Sequence, residues 1–175
     1  MNRPDDEIMY KVVFLRHGGS TANNQNIWGS WTDVDLSLEG IEEAKLAGYL
    51  LKDWKFDIVY TSILKRTIKT WNIIADIIDQ HHIPIYKNWR LNEKHYGALI
   101  GLNKVEISKK YGEEQVKMWR RDYYSKPPAM DKDDPRNPAY DPLYKDIPKD
   151  LLPLSEVMIS NFFLYHLQLD SYLEI

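Results

Sequence analysis

His17 is the residue in this chain best suited to attack phosphorus. It stands in Arg16-His17-Gly18, directly after the apolar run Lys11-Val12-Val13-Phe14-Leu15. A neutral imidazole at the end of a strand can take a phosphoryl group. Beside it, Arg16 carries a planar fork that matches phosphate oxygens two at a time. Gly18 lets the backbone come close to a ligand. An isolated Arg-His-Gly also fits a histidine that only caps its strand. Two further clusters add weight. Thr61-Ser62-Ile63-Leu64-Lys65-Arg66 ends one apolar run and opens a helical one, with Ser62 placed to cap the helix and Arg66 in its first turns. Leu91-Asn92-Glu93-Lys94-His95-Tyr96-Gly97 follows another run, and Glu93 could move a proton to or from a hydroxyl. Read singly, Arg66 is a solvated helix arginine and Glu93 a surface carboxylate. Brought to neighbouring strand ends, two arginines and a histidine make an anion site.

The elements that must position these residues are legible from periodicity. Residues 11–15 form a short β-branched run without alternation, which predicts a strand covered on both faces. Ser37 suits an N-cap, and Ile41, Ala44, Gly48 and Leu51 repeat at helical spacing, predicting a helix near 38–53. Phe56–Tyr60 predicts a second strand. Leu64–Gln80 predicts a second helix, with Leu64, Ile68, Trp71, Ala75 and Ile78 on one face. Ile83–Tyr86 predicts a short third strand, and 103–123 a helix interrupted at Gly112. Strand, helix, strand, helix, strand is the pattern of a parallel sheet with helical crossovers. Ligands of such folds bind at the carboxyl ends of the strands, which directs attention to the loops after Leu15 and Tyr60.

The 175 residues fit one domain, 1–175. Seven of the nine prolines lie in 127–153, an irregular segment expected to be a lid, a binding loop or disorder. Residues 157–175 are apolar all round. A net charge of −3 disfavours a general nucleic-acid binder. The absence of cysteine excludes disulfides and thiolate chemistry. His81-His82 are adjacent and point apart, which disfavours a metal site. No apolar run reaches membrane-spanning length, and Met1–Glu7 is polar and acidic, unlike a signal peptide. A cytoplasmic protein with no membrane partner is the expectation.

Taken together, the segments resemble the cofactor-dependent phosphoglycerate mutases of the histidine phosphatase superfamily. The likeness rests on Leu15-Arg16-His17-Gly18 with Ser20 and Asn23, on Asp33–Ser37, and on Tyr60-Thr61-Ser62 with Leu64-Lys65-Arg66. It continues through Trp89–Leu99, Gly101–Lys104, Tyr111–Val116 and Trp119-Arg120-Arg121. The resemblance implies a three-layer αβα fold with a mostly parallel central sheet. It implies a metal-free isomerase that interconverts 2- and 3-phosphoglycerate and is primed by 2,3-bisphosphoglycerate. By resemblance, His17 carries the phosphoryl group, and Arg16, Asn23 and Arg66 hold it. Glu93 is the acid/base. Tyr96, Lys104, Arg120 and Arg121 hold the substrate's carboxylate or second phosphate, and Gly29 and Ser30 are further substrate contacts. A homodimer is implied as well.

The chain also departs from that family. Gly19 stands where a glutamate is usual, and Trp28-Gly29-Ser30-Trp31 differs from the usual Thr-Gly-Trp order. The family's later His-Gly-Asn element is missing, and His166, inside the apolar run 162–167, does not replace it. The last elements of the fold are therefore expected to be lacking and mutase activity to be low. The alternatives are a histidine-type phosphatase acting on a small phosphorylated substrate and a non-catalytic binding or oligomer partner.

Overall fold

The computed structural model describes residues 10–158. Their two strands, β1 (Val59–Thr61) and β2 (Ile85–Lys87), pair in parallel with Val59 opposite Ile85 and Thr61 opposite Lys87. Helix α3 (Lys65–Ile78) makes the crossover between them, as the alternating pattern predicts. Both strands lie slightly later than their apolar runs. Residues 11–15, expected as the first strand, are in neither helix nor strand, and Val12 and Phe14 are exposed. An apolar run becomes a strand only beside a ladder partner. Among the described residues the one sheet is that of β1 with β2.

Ahead of the sheet come α1 (Thr21–Asn24) and α2 (Leu38–Leu50). The Ser37 hydroxyl caps α2 by accepting from the Gly40 amide at 3.0 Å. Helix α2 packs on α3, with Gly48 against Ile77, while Gly40 lies against Gly19. Its stripe is narrower than the spacing predicts, since Ile41 and Leu51 are only half-buried and Leu46, Tyr49 and Leu50 face outward. Helix α3 buries Arg66, Thr70, Ile74, Ala75 and Ile78, while Ile68 and Trp71 are half-buried. Ser62 is not its N-cap. Leu64 holds that position without a side-chain bond, and the Ser62 hydroxyl instead meets the Leu64 amide and the Thr67 hydroxyl.

The predicted break at Gly112 separates α4 (Lys104–Tyr111) from α5 (Glu113–Arg121). Gly112 has φ +86°, a backbone conformation that residues with a Cβ rarely adopt. Asn103 caps α4 through its side-chain oxygen. The core gathers Trp28, Tyr96, Leu99, Ile100, Ile107, Val116, Trp119 and Met130. Residues 127–153 form three single 3-10 turns, at Pro138–Tyr140, Pro142–Tyr144 and Lys149–Leu151. They are tied to the rest of the chain. The Ala98 amide donates to the Pro128 carbonyl, and the buried Tyr144 hydroxyl donates to the Trp31 carbonyl at 2.7 Å. The expectation for 157–175 falls almost wholly outside the described residues.

Candidate active site

The imidazole of His17 is held at both nitrogens. Arg66 Nε donates to its Nε2 at 3.2 Å. A ring nitrogen facing a guanidinium N–H must present its lone pair, so Nδ1 carries the hydrogen and donates to the Gly18 carbonyl at 2.7 Å. Burial lowers His17 from 6.5 to about 4. The Gly18 bond and Glu43 oppose that shift, while Arg66 and Arg16 add to it. The ring is therefore neutral at physiological pH, with the Nε2 lone pair on the arginine side.

Arg66 is 1% exposed, and three of its five N–H donors are hydrogen-bonded. Its Nη1 donates to the Thr32 carbonyl at 2.9 Å and its Nη2 to the Ser30 carbonyl at 2.7 Å. Glu93 Oε2 lies 3.6 Å from Nη2, and the Glu93 side chain is 42% exposed. Two backbone carbonyls and one carboxylate thus compensate a buried cation. The first helical turn of α3 delivers Arg66 to this point.

The loop carrying His17 rests on the start of α2. A Cβ on Gly18 would collide with the Gly40 carbonyl, so only glycine allows this approach. The Gly18 amide donates to Thr70 Oγ1 at 3.1 Å, and that hydroxyl donates to the Arg66 carbonyl. The Gly19 amide donates to Glu43 Oε2 at 2.7 Å, and the Gly19 carbonyl accepts from the Ser37 amide.

A second group of charges shares the electrostatic neighbourhood. Tyr96 is buried against Trp28, with ring centroids 4.5 Å apart. Burial pushes its hydroxyl up to about 12, Glu93 adds to that, and Arg120, Arg121 and Arg16 oppose it. Lys104 is lowered chiefly by burial and then by Arg120, with Glu93 acting against and Arg16 with them. Its ammonium lies 6.0 Å from the Trp28 ring. Arg16, Arg120 and Arg121 are exposed. The structure therefore gathers His17, Arg66 and Glu93 by direct contact, and Arg16, Tyr96, Lys104, Arg120 and Arg121 through their shared field.

The other candidates sit differently. Asn23 closes a capping box on α1, its side-chain oxygen accepting from the Ser20 amide at 2.9 Å. Ser30 is fully buried with φ +48°. Its hydroxyl donates to the Lys94 carbonyl at 2.7 Å and accepts from the Tyr96 amide at 3.3 Å. Gly29 packs beside Ala22 and Val34. Sequence reasoning missed Thr70, Glu43, Lys94 and the carbonyls of Ser30 and Thr32. Backbone carbonyls carry no side-chain signal, and a lone lysine, threonine or glutamate is ordinarily solvated. Among the described residues no cluster of three His, Asp or Glu side chains could hold a metal, and no helix is long and apolar enough to cross a membrane.

The pattern of the histidine phosphatase superfamily (branch 1) matches residues 12–135, a span that includes His17, Arg66, Glu93 and both terminal arginines of α5. The chain belongs to that superfamily. This histidine phosphatase chain is 53% identical over 152 residues to the 2,3-bisphosphoglycerate-dependent phosphoglycerate mutase of Porphyromonas gingivalis. The match covers 86% of this chain and 61% of the relative, so the chain spans about three-fifths of the curated relatives it matches. Among solved structures it is similar to the phosphoglycerate mutase of Bacillus anthracis, with TM-score 0.51 and 25% identity over 58% of this chain and 47% of that one. It is also similar to YhfR of Bacillus stearothermophilus, with TM-score 0.52 and 28% identity over 59% and 50%. The expected α/β class of this superfamily is the fold observed.

Proposed function

We propose that this chain accepts a phosphoryl group on His17 Nε2 from 2,3-bisphosphoglycerate and serves the interconversion of 2- and 3-phosphoglycerate. The observation that carries this reading is the Arg66 Nε to His17 Nε2 contact at 3.2 Å, with Nδ1 tied to Gly18. It leaves a neutral imidazole beside a fixed cation, and its Nε2 lone pair is free to attack phosphorus once it releases the Arg66 Nε–H. The high identity to a relative named for that reaction supports the choice of substrate.

The chemistry follows from the groups present. His17 Nε2 forms the bond to phosphorus as the bond from phosphorus to the donor's oxygen breaks. In this reading Glu93 starts as the carboxylic acid, gives its proton to that oxygen and is left as the carboxylate. Arg66 and Arg16 balance charge on the transferring group, and such transfers depend mainly on positioning and charge. Lys104, Arg120, Arg121 and Tyr96 suit the rest of a multiply charged phosphorylated acid. In the reverse step, phosphorylated His17 returns its group to a monophosphoglycerate hydroxyl, which gives its proton to Glu93.

The same reading separates phosphorylation from turnover. The cations around the His17 ring are Arg66, bonded at Nε2, and Arg16, which shares its field. We expect phosphorylation of His17, with mutase turnover read as a separate measurement. The test is intact-protein mass spectrometry after incubation with 2,3-bisphosphoglycerate, beside a His17→Ala control. A phosphoryl adduct on the unchanged chain alone supports the reading. A folded chain without an adduct overturns it. Rapid release of inorganic phosphate from unrelated esters would instead make it a phosphatase.

A further inference from the structure

Lys94 is 4% exposed, although its neighbour Glu93 faces the site and solvent. A buried ammonium is costly unless its protons find partners. Its Nζ donates to the Trp119 carbonyl at 2.8 Å and lies 5.2 Å from the centroid of the Tyr96 ring. Trp119 is in the last turn of α5, where carbonyls lack partners within the helix and the helix end favours a cation. Arg120 and Arg121 follow it directly. At the other end of α5, Gly112 offers no side-chain cap. The backbone of Lys94 faces the opposite way. Its carbonyl accepts from the Ser30 hydroxyl at 2.7 Å, and the Ser30 carbonyl holds Arg66. One residue thus joins the segment that fixes Arg66 to the helix end that carries two exposed arginines. Burial lowers the Lys94 ammonium below its ordinary value, and Glu156, Asp122 and Glu93 oppose that shift.

We propose that Lys94 is a positioning residue for substrate: by holding the Trp119 carbonyl it aims Arg120 and Arg121 at the anion bound over His17. The choice of ligand rests on the function proposed above, whereas the contact to α5 does not. Loss of the ammonium frees the end of α5 and misplaces the arginines, and small misplacements cost large factors in binding. The Lys94 side chain is buried, so the informative change keeps its length and removes the donor.

The experiment compares Lys94→Met with the unchanged chain, in the wild-type background and with Arg120→Ala and Arg121→Ala. It reads the half-saturation of His17 phosphorylation by 2,3-bisphosphoglycerate, the rate at saturation, and amide hydrogen exchange in α5. We expect half-saturation to rise about tenfold or more, while the rate at saturation stays within about threefold. Exchange at Arg121 and Asp122 should quicken by about tenfold, with α3 unchanged. Lys94→Met should add little once both arginines are gone, because Lys94 acts through them. Lys94→Arg, which keeps a cation for the carbonyl, should recover most of the affinity. Additive losses in the double-arginine background, or unchanged half-saturation and exchange, would overturn the proposal. If the Met variant does not fold, Lys94→Gln is read the same way. If the unchanged chain is not phosphorylated at all, the proposed function fails, and α5 exchange alone then decides the role of Lys94.

Discussion

The two halves of the candidate site place their cations in opposite physical settings. On the His17 side, Arg66 is out of water, its donors fixed by the carbonyls of Ser30 and Thr32 and by the Nε2 of His17. On the α5 side, Arg120 and Arg121 are exposed at a helix end. A buried guanidinium anchored by three of its donors acts at a fixed point with little screening, so it can orient a lone pair and stabilise charge that develops during transfer. Exposed arginines are screened by salt and move, so they attract and select a polyanion without setting the geometry of the reacting atom. The contrast implies that the first half governs rate and the second governs affinity.

The sharpest way to break that comparison is Arg66→Met. We expect the rate of His17 phosphorylation at saturating donor to fall by roughly 10²–10³-fold, the usual loss for one preorganised donor. Quench-flow with mass detection measures it, and a mere rise in half-saturation would show that Arg66 behaves like a rim residue. Arg120→Ala with Arg121→Ala comes next. Half-saturation should rise by about 10–100-fold, or about 1.4 kcal/mol per factor of ten, with little change in melting temperature. The salt dependence of binding should flatten in the same variant, and an unchanged slope between low and high ionic strength would count against a screened rim.

Gly18→Ala tests the packing beneath the first half. The new methyl group meets the Gly40 carbonyl, so unfolding stability should drop by about 1–3 kcal/mol in urea titrations. The phosphorylation rate should fall with it, since the loop carries His17. A stable and fully reactive variant would mean that the loop has room to shift.

The effect most reduced by screening is on the pH dependence of stability. His17 and His95 are both held down to about 4 in the folded chain, chiefly by burial, against an ordinary 6.5. Between those values the unfolded chain binds the extra protons. Stability therefore increases with pH across that window and is lost as pH falls toward 4. Each histidine contributes a slope of at most ~1.4 kcal/mol per pH unit, reduced by solvent screening. Glu156, raised above 4.5 by burial, works in the opposite sense. Melting temperatures from pH 7 to 4.5 should decline less steeply in His17→Asn than in the unchanged chain. An equal decline in both would place the titration elsewhere.

How much of this was legible beforehand depends on the range of the forces involved. The cap at Ser37 and the break at Gly112 are local, so residue type and spacing sufficed to read them. The run 11–15 misled because a strand needs a neighbour that its own residues do not specify. Ser62 misled because the helix starts two residues later, at the Leu64 cap, and its hydroxyl meets the Leu64 amide and the Thr67 hydroxyl instead. Of the site, His17, Arg66 and Glu93 were readable as residue types that phosphoryl chemistry requires, since few side chains can attack, neutralise or protonate. The motifs around them were specific enough to name the superfamily.

The sequence by itself determined the inventory: one imidazole after an arginine, a set of cations rich enough for a polyanion, no thiol, and glycines where backbones must approach. Only the tertiary structure decided which nitrogen of His17 keeps its lone pair, which arginine is desolvated and which is not, and that Lys94 turns inward to the end of α5. The physical reason is that protonation, burial and hydrogen bonding to carbonyls depend on groups far apart in the chain. Arg66 meets Ser30 and Lys94 meets Trp119 only after the chain has packed.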